Sequence, residues 1–319
     1  MYLMKIVFFG TPVFAAKILE SLLEASLEIV AVVTQPDRPK GRSQKIAQSA
    51  VKEFMEHWPK IPVFQPEKAS SSDFVQKISE FHPELFVVVA YGEIMRKALL
   101  SVPKKAAINV HASLLPKYRG AAPIQHCLLN GETQSGVSIM HMVREMDAGN
   151  VIRQDKVLIK SDMNADTLQK SLWECGAQSL MKVLRDFTER GVDPGLAQNH
   201  ESATFAHKIT SNDAKIDWNK PASQIERTVR AMDSRPGAWC EMQMTKKRIR
   251  IKIFSISLIH ASKGMAPGQI VQNKGAKLIV AAKDKLLEIN ILQVEGKKKM
   301  TSREFLLGLQ QANQPIYML

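Results

Sequence analysis

Residues 85–90 read LFVVVA, six apolar side chains in succession. An extended chain sends alternate residues to opposite faces, so a run with no polar position reads as a strand covered on both sides. Residues 4–9, 28–34, 62–64 and 107–110 supply further strand candidates in the same half of the chain. Between the first two, Pro12 suits the first turn of a helix, and Phe14, Ile18, Leu19 and Leu22 follow at helical spacing. Strands alternating with amphipathic helices are the sequence form of a parallel sheet wrapped by helices, an α/β fold. Leu168, Leu172, Leu180, Leu184 and Phe187 mark a long helix that closes this first domain, and Gly191, Pro194 and Gly195 then break the pattern.

A chain of 319 residues suits two domains. The expected division is a first domain over 1–189, a linker over 190–208 and a second domain over 209–319. In the second, residues 222–232 read as a helix, and 248–256, 269–272, 278–282 and 286–291 as short strands divided by Gly and Lys clusters. A small β-barrel fits that pattern, and the oligonucleotide-binding barrel is one such fold. Charge separates the halves as well. Residues 1–205 carry 24 Lys and Arg against 22 Asp and Glu, whereas 206–319 carry 20 against 9, so +11 of the net +13 lies in the last third. A basic region of that kind points to a polyanionic partner.

Several chemistries are excluded. Gly10 alone follows the first strand where a dinucleotide fold would carry three glycines, so neither a nicotinamide nor a flavin cofactor is expected, and no P-loop motif occurs. The eight histidines include no H-E-x-x-H, and the adjacent His126 and Cys127 would not normally chelate one ion, so no metal is expected. Cys127, Cys175 and Cys240 are too few and too scattered for a disulfide framework. No apolar span or cleavage signal follows Met1, so the expectation is a cytoplasmic protein without membrane attachment.

One constellation remains, in the segment INVHASLLPKYRGAAPIQ, residues 108–125. Asn109 and His111 are two apart on a strand and project from one face, at the carboxyl end where ligands bind in open α/β sheets. Ser113, Leu114, Leu115 and Pro116 break the strand into a loop with a hydroxyl, two exposed apolar side chains and a stiff end, and Arg119 and Gly120 follow. Downstream, Asp147 sits in the tight loop EMDAG before another strand begins at Asn150. Asn, His and Asp without a Ser or Cys nucleophile suit acyl transfer in which the substrate itself attacks. The Asn109 amide and the His111 ring can donate to a developing oxyanion, and Asp147, if hydrogen-bonded to His111, would orient it and help remove a proton from the attacking amine.

These residues resemble the folate-dependent formyltransferases. The similarity extends from INVHASLLPKYRGAAPIQ and the Asp147 loop to FFGTPVFAAKILESLL, TQPDRPKGR, VVVAYGEI, RPGAW and EGKKKM, essentially the whole chain. The resemblance implies a Rossmann-like catalytic domain followed by a smaller C-terminal β-barrel, and a catalytic trio of Asn109, His111 and Asp147. It implies 10-formyltetrahydrofolate as formyl donor, held by Tyr91, Gly92, Glu93, Ile94, Ser113, Leu114, Leu115 and Pro116. Its branch that formylates methionyl initiator tRNA fits best, with a monomer expected and Arg42 in a loop over 36–50 that reaches the tRNA acceptor end. Two departures stand out: Ala112, where many relatives carry Gly or Pro, and Asp233-Ser234-Arg235 before Pro236-Gly237.

The basic residues agree with a tRNA substrate. Arg38, Lys40, Arg42 and Lys45 lie within eight residues that contain no aromatic, which suits phosphate contact over base stacking. Arg248, Arg250 and Lys252 alternate with Ile249, Ile251 and Ile253, giving one basic and one apolar face of a strand. The rival reading is a formyltransferase acting on a small amine, such as glycinamide ribonucleotide or an amino sugar nucleotide, which gives no reason for the basic last third. A silent RNA-binding protein that keeps the fold is a second rival, and the intact trio argues against it.

Overall fold

The apolar runs of the first half pair side by side. In the computed structural model, which describes residues 4–40, 45–233, 235–243, 248–261, 264–273, 277–309 and 317–319, the chain forms two units. The first comprises Met1–Pro123, Gln134–Ile159 and Gln169–Ala206. The second comprises Ile124–Thr133, Lys160–Leu168 and His207–Leu319.

The first half runs β1 (Ile6–Gly10), α1 (Val13–Glu24), β2 (Ile29–Val33), β3 (Arg38–Lys40), β4 (Lys45–Ala47), α2 (Ala50–Met55), β5 (Val63–Phe64), α3 (Ser72–Ser79) and β6 (Leu85–Val89). It continues with α4 (Lys97–Leu100), β7 (Ala106–His111), β8 (Arg119–Gly120), α5 (Pro123–Leu129), β9 (Gln134–His141), β10 (Val151–Leu158), α6 (Ala165–Arg190) and β11 (Phe205–Ala206). The main sheet has the order β10-β9-β7-β6-β1-β2-β5. From β5 to β7 neighbouring strands are parallel, and every residue of β1 and β6 is buried, as continuous apolar runs require.

Helix α1 covers the sheet with Phe14, Ala15, Ile18, Leu19 and Leu22, all buried. Pro12 is its N-cap, one position before the first turn. Gly10 allows the chain to turn from β1 into α1, since a Cβ there would lie 2.6 Å from that of Ala15. The sheet is not wholly parallel: β9 runs antiparallel to β7, and β10 antiparallel to β9. The sequence reading lacks β9 because its buried positions include Ser135 and Ser138, 4% and 0% exposed, which interrupt the apolar run.

The second unit contains α7 (Ala222–Ala231), β12 (Ala238–Gln243), β13 (Arg248–Ala261), β14 (Ile270–Asn273), β15 (Lys277–Ala281), β16 (Lys285–Val294), β17 (Met300–Thr301), α8 (Ser302–Leu309) and β18 (Tyr317–Met318). The order β14-β15-β16-β13-β12-β18 is antiparallel throughout, with β17 also on β16. This is a nearly closed barrel. Strand β18 joins its two ends: the Leu319 amide donates to the Glu241 carbonyl at 2.6 Å, and the Met318 amide donates to the Gly268 carbonyl at 2.9 Å. Inside lie Ile251, Ile253, Leu287, Ile289 and Met318, and Trp218 with Ile225 and Val229 of α7 completes the same core. The segment 190–208, expected to be a linker, belongs to the first unit as far as Ala206.

Met318 is 2% exposed and its sulfur lies 3.7 Å from Cys240 Sγ, so the closing strand is fastened by a core side chain. Met318→Ala should lower unfolding stability by about 2 kcal/mol or more in chemical denaturation. A change below about 0.5 kcal/mol, the size expected of a surface substitution, would show that β18 does not hold the barrel shut.

Candidate active site

Strand β7 carries Asn109 and His111 on one face, 9% and 6% exposed. They sit where the parallel part of the sheet meets its antiparallel edge: Asn109 pairs with Val88 on β6 and with Met140 on β9, and His111 with Ser138. The chain after β7 curls back so that the Tyr118 carbonyl accepts a hydrogen bond from His111 Nε2 at 2.9 Å. The other ring nitrogen, Nδ1, lies 3.7 Å from Asp147 Oδ2. The Asn109 carboxamide makes no hydrogen bond among the described residues, so its donor is left for a further group.

Asp147 lies in the left-handed region, φ 52°, in the loop between β9 and β10. Its Oδ2 lies 3.7 Å from His111 Nδ1, so the condition under which it would orient the ring, a hydrogen bond to His111, is not met. Its Oδ2 instead accepts the Gly120 amide at 2.8 Å. Gly149 lets the loop pass close to β9, because a Cβ there would lie 1.9 Å from the His141 carbonyl oxygen. The loop is held further by Gln198, whose Nε2 donates to the carbonyls of Asp147 at 2.8 Å and Gly149 at 2.7 Å. Arg119 donates to Gln198 Oε1 through Nε and Nη2, at 3.1 and 2.7 Å.

The loop of Ser113, Leu114, Leu115 and Pro116 is pinned to the antiparallel edge. Ser138 Oγ donates to the Ser113 carbonyl at 2.6 Å and accepts the Leu115 amide at 3.1 Å, and Gln154 Nε2 donates to both Ser138 Oγ and the Leu115 carbonyl at 2.8 Å. The Leu115–Pro116 peptide is cis. The two leucines expected to be exposed are not: Leu115 is buried and Leu114 half-buried, with Gly136 on β9 leaving room for Leu114. The hydroxyl of Ser113 is turned inward to the Lys117 carbonyl at 2.6 Å.

Around residues 91–94 the roles divide. Tyr91 is 2% exposed, its carbonyl accepts from Thr11 Oγ1 at 2.7 Å, and its buried hydroxyl lacks a partner among the described residues. Burial pushes that hydroxyl's ionisation far above its usual range, and the nearby Glu93 charge adds to the effect. Gly92 has φ 91°, a conformation that favours glycine. The Glu93 carboxylate accepts the Ala69 amide at 3.0 Å, Gly92 is exposed, and Ile94 stands well out, 71% exposed.

The basic residues fall in two places. Arg38, Lys40 and Lys45 lie on the β3–β4 hairpin, where Lys40 pairs with Lys45. Arg38 meets Glu67 at 3.0 Å, Lys45 is exposed, and Arg42 lies outside the described residues. On β13, Ile251 and Ile253 point into the barrel core, while Arg248, Arg250 and Lys252 lie opposite Gln243, Glu241 and Trp239 of β12. The basic face is less free than the alternation suggests. Arg250 stacks on the Trp239 ring at 3.6 Å and donates to Ser211 Oγ, Lys252 donates to the Pro236 carbonyl, and Arg248 bonds Gln243 at 3.1 Å.

Tyr118, Gln198, Ser138 and Gln154, which hold the site together, carry no sequence signal of their own. Gln198 lies in a stretch of breakers without periodicity, and the other three look like ordinary polar or aromatic positions.

A buried Asn and His with a half-buried Asp at the carboxyl end of a parallel sheet, without a nucleophilic Ser or Cys, suit group transfer of the acyl type. Comparison with known proteins names the group. The formyl transferase model matches residues 4–184, and the formyl transferase C-terminal domain model matches 208–310. The chain belongs to the formyl transferase family. It is 44% identical over 306 residues to the methionyl-tRNA formyltransferase of Protochlamydia amoebophila, covering 96% of this chain and 95% of that protein. The Staphylococcus aureus MW2 methionyl-tRNA formyltransferase is 38% identical over 307 residues, 96% of each chain. The fold is also that of HypX from Aquifex aeolicus, solved in complex with tetrahydrofolic acid, with a TM-score of 0.64 at 16% identity, covering 98% of this chain and 48% of HypX.

Gly149→Ala should displace the Asp147 loop, because the added methyl cannot coexist with the His141 carbonyl at 1.9 Å. A stability loss of about 1–3 kcal/mol is expected, with formyl transfer reduced. Unchanged melting and unchanged turnover would mean that the loop adjusts freely and Asp147 is not held in place.

Proposed function

We propose that the chain transfers the formyl group of 10-formyltetrahydrofolate to the free amino group of methionyl initiator tRNA. The observation that carries this reading is the 44% identity to a methionyl-tRNA formyltransferase, which spans 306 residues and both units. The first unit carries the chemistry and the barrel helps to hold the tRNA. The protein acts as a cytoplasmic monomer; among the described residues no helix is long and apolar enough to cross a membrane.

10-Formyltetrahydrofolate, a substrate here, supplies the formyl carbon, and the residues 91–94 with 113–116 hold it. The unpaired carboxamide of Asn109 suits a carbonyl oxygen that becomes negative as the amine attacks. His111 lies on the same side of β7, and with Nε2 taken by the Tyr118 carbonyl at 2.9 Å it is Nδ1 that is left to meet the same oxygen. Asp147, fixed by the Gly120 amide at 2.8 Å, faces the ring and takes part in moving the proton that leaves the attacking amine. One hydrogen leaves that amine and one reaches the departing folate nitrogen, so the site needs a group that can accept and return a proton. No acyl-enzyme is required.

His111→Ala and Asp147→Ala should each lower turnover by about a hundredfold or more, with folate and tRNA binding retained. The assay offers the formyl donor with methionyl-tRNA, glycinamide ribonucleotide or an amino sugar nucleotide in turn, and identifies the product by mass. Near-normal turnover in either variant would overturn the mechanism, and formylation of a small amine alone would overturn the substrate.

Arg38, Lys40, Arg42 and Lys45 on the first unit, and Arg248, Arg250 and Lys252 on the barrel, contact the tRNA backbone. Arg42 acts by placing the acceptor end in the reacting geometry. Neutralising the barrel trio should flatten the plot of log affinity against log salt by about 0.7–0.9 for each phosphate left without its cation, and raise the KM for tRNA with little change in kcat. An unchanged slope would assign the tRNA to another face of the barrel.

A further inference from the structure

The Asp147 loop has two backbone carbonyls, those of Asp147 and Gly149, that turn away from the regular hydrogen bonding of β9 and β10. Both are taken up by one side chain, Gln198, at 2.8 and 2.7 Å. Gln198 is 7% exposed and lies 51 residues from Asp147 along the chain. Its orientation is fixed from the other end, because two donors of Arg119, itself 5% exposed, meet Oε1 at 3.1 and 2.7 Å. Both amide hydrogens and the amide oxygen are therefore used, and the carboxamide has one way round. Arg119 is also the residue between Tyr118, whose carbonyl accepts from His111, and Gly120, whose amide donates to the Asp147 carboxylate.

We infer that Gln198 is a positioning residue for formyl transfer: it clamps the Asp147 loop to the Tyr118–Gly120 segment and so fixes the Asp147 carboxylate against His111. The inference rests on the reading of Asp147 as a group that takes part in the chemistry. Gln198 touches no reacting atom. It acts by removing the freedom of a left-handed turn whose carboxylate is 3.7 Å from the ring it serves, a geometry in which a displacement of about 1 Å costs up to about a hundredfold in rate.

A glutamate at this position keeps the size and the acceptor for Arg119 but presents oxygen to two carbonyl oxygens, and a methionine keeps the bulk without either function. Gln198→Glu and Gln198→Met should each lower kcat about ten- to a hundredfold, with KM for the formyl donor and for methionyl-tRNA within about twofold of the parent. In the Asp147→Ala background the same substitutions should cost nothing further, because their effect passes through Asp147. Parent-like kcat in either folded variant, a loss carried by KM, or a loss that multiplies with Asp147→Ala would each overturn the inference. Full activity in Asp147→Ala itself would instead overturn the catalytic reading, and this one with it. Circular dichroism melting of each variant identifies one that has not folded, in which case the other decides.

Discussion

The geometry of the site depends on one short strand pairing. Arg119 and Gly120 lie parallel to Phe205 and Ala206, with the Arg119 amide donating to the Thr204 carbonyl at 2.8 Å and the Ala121 amide to the Ala206 carbonyl at 2.9 Å. A two-residue strand has little stability of its own, so it is reinforced by side chains: the Tyr118 amide donates to Thr204 Oγ1 at 2.9 Å. Gly120, at φ 118°, leaves no room for a Cβ, which would stand 2.6 Å from the Ala206 carbonyl oxygen. From this segment the Tyr118 carbonyl reaches His111, the Gly120 amide reaches Asp147 and the Arg119 side chain reaches Gln198. The chain from Gln198 to Ala206 thus bonds to the segment that meets His111 and Asp147.

Asn109 and His111 rest on firmer ground, because β7 is an interior strand. The parallel strands β1 and β6 form a fully buried base, and burying each of their large side chains contributes on the order of 1.5–3 kcal/mol. The antiparallel pair β9 and β10 gives the sheet a polar seam beside β7, where Ser138 and Gln154 hold the loop after His111. An all-apolar edge could pack as tightly but could not satisfy the Ser113 and Leu115 backbone groups that the turn leaves unpaired. The sheet thereby places polar function at the end of an apolar scaffold.

In the barrel the balance of charge and packing is different. The apolar face of β13 is held by the core, and its basic face lies over β12, where the Arg250 guanidinium covers the Trp239 ring. Such stacking is worth about 1 kcal/mol, enough to restrict the side chain while leaving its positive field in place. A row of cations restricted in this way loses less freedom on meeting a phosphate backbone than a row of free lysines.

The sequence alone determined the five parallel strands of the first half with the helices α1 and α6, the alternation on β13, the placement of Asn109 and His111 on one strand face, and the concentration of charge in the last third. These are local or additive properties: periodicity, spacing and composition survive in one dimension. It missed β9 and β12, whose buried faces mix serine, cysteine and alanine with larger residues and so weaken the apolar signal. It expected a linker where residues 193–206 are bonded into the first unit, and two exposed leucines where one is buried. It gave no sign of Gln198, Tyr118 or Thr204. What those residues do is decided by hydrogen bonds that span up to 86 positions, and a hydrogen bond of that reach is set by which backbone groups the fold leaves unpaired, a quantity that exists only once the tertiary structure has formed.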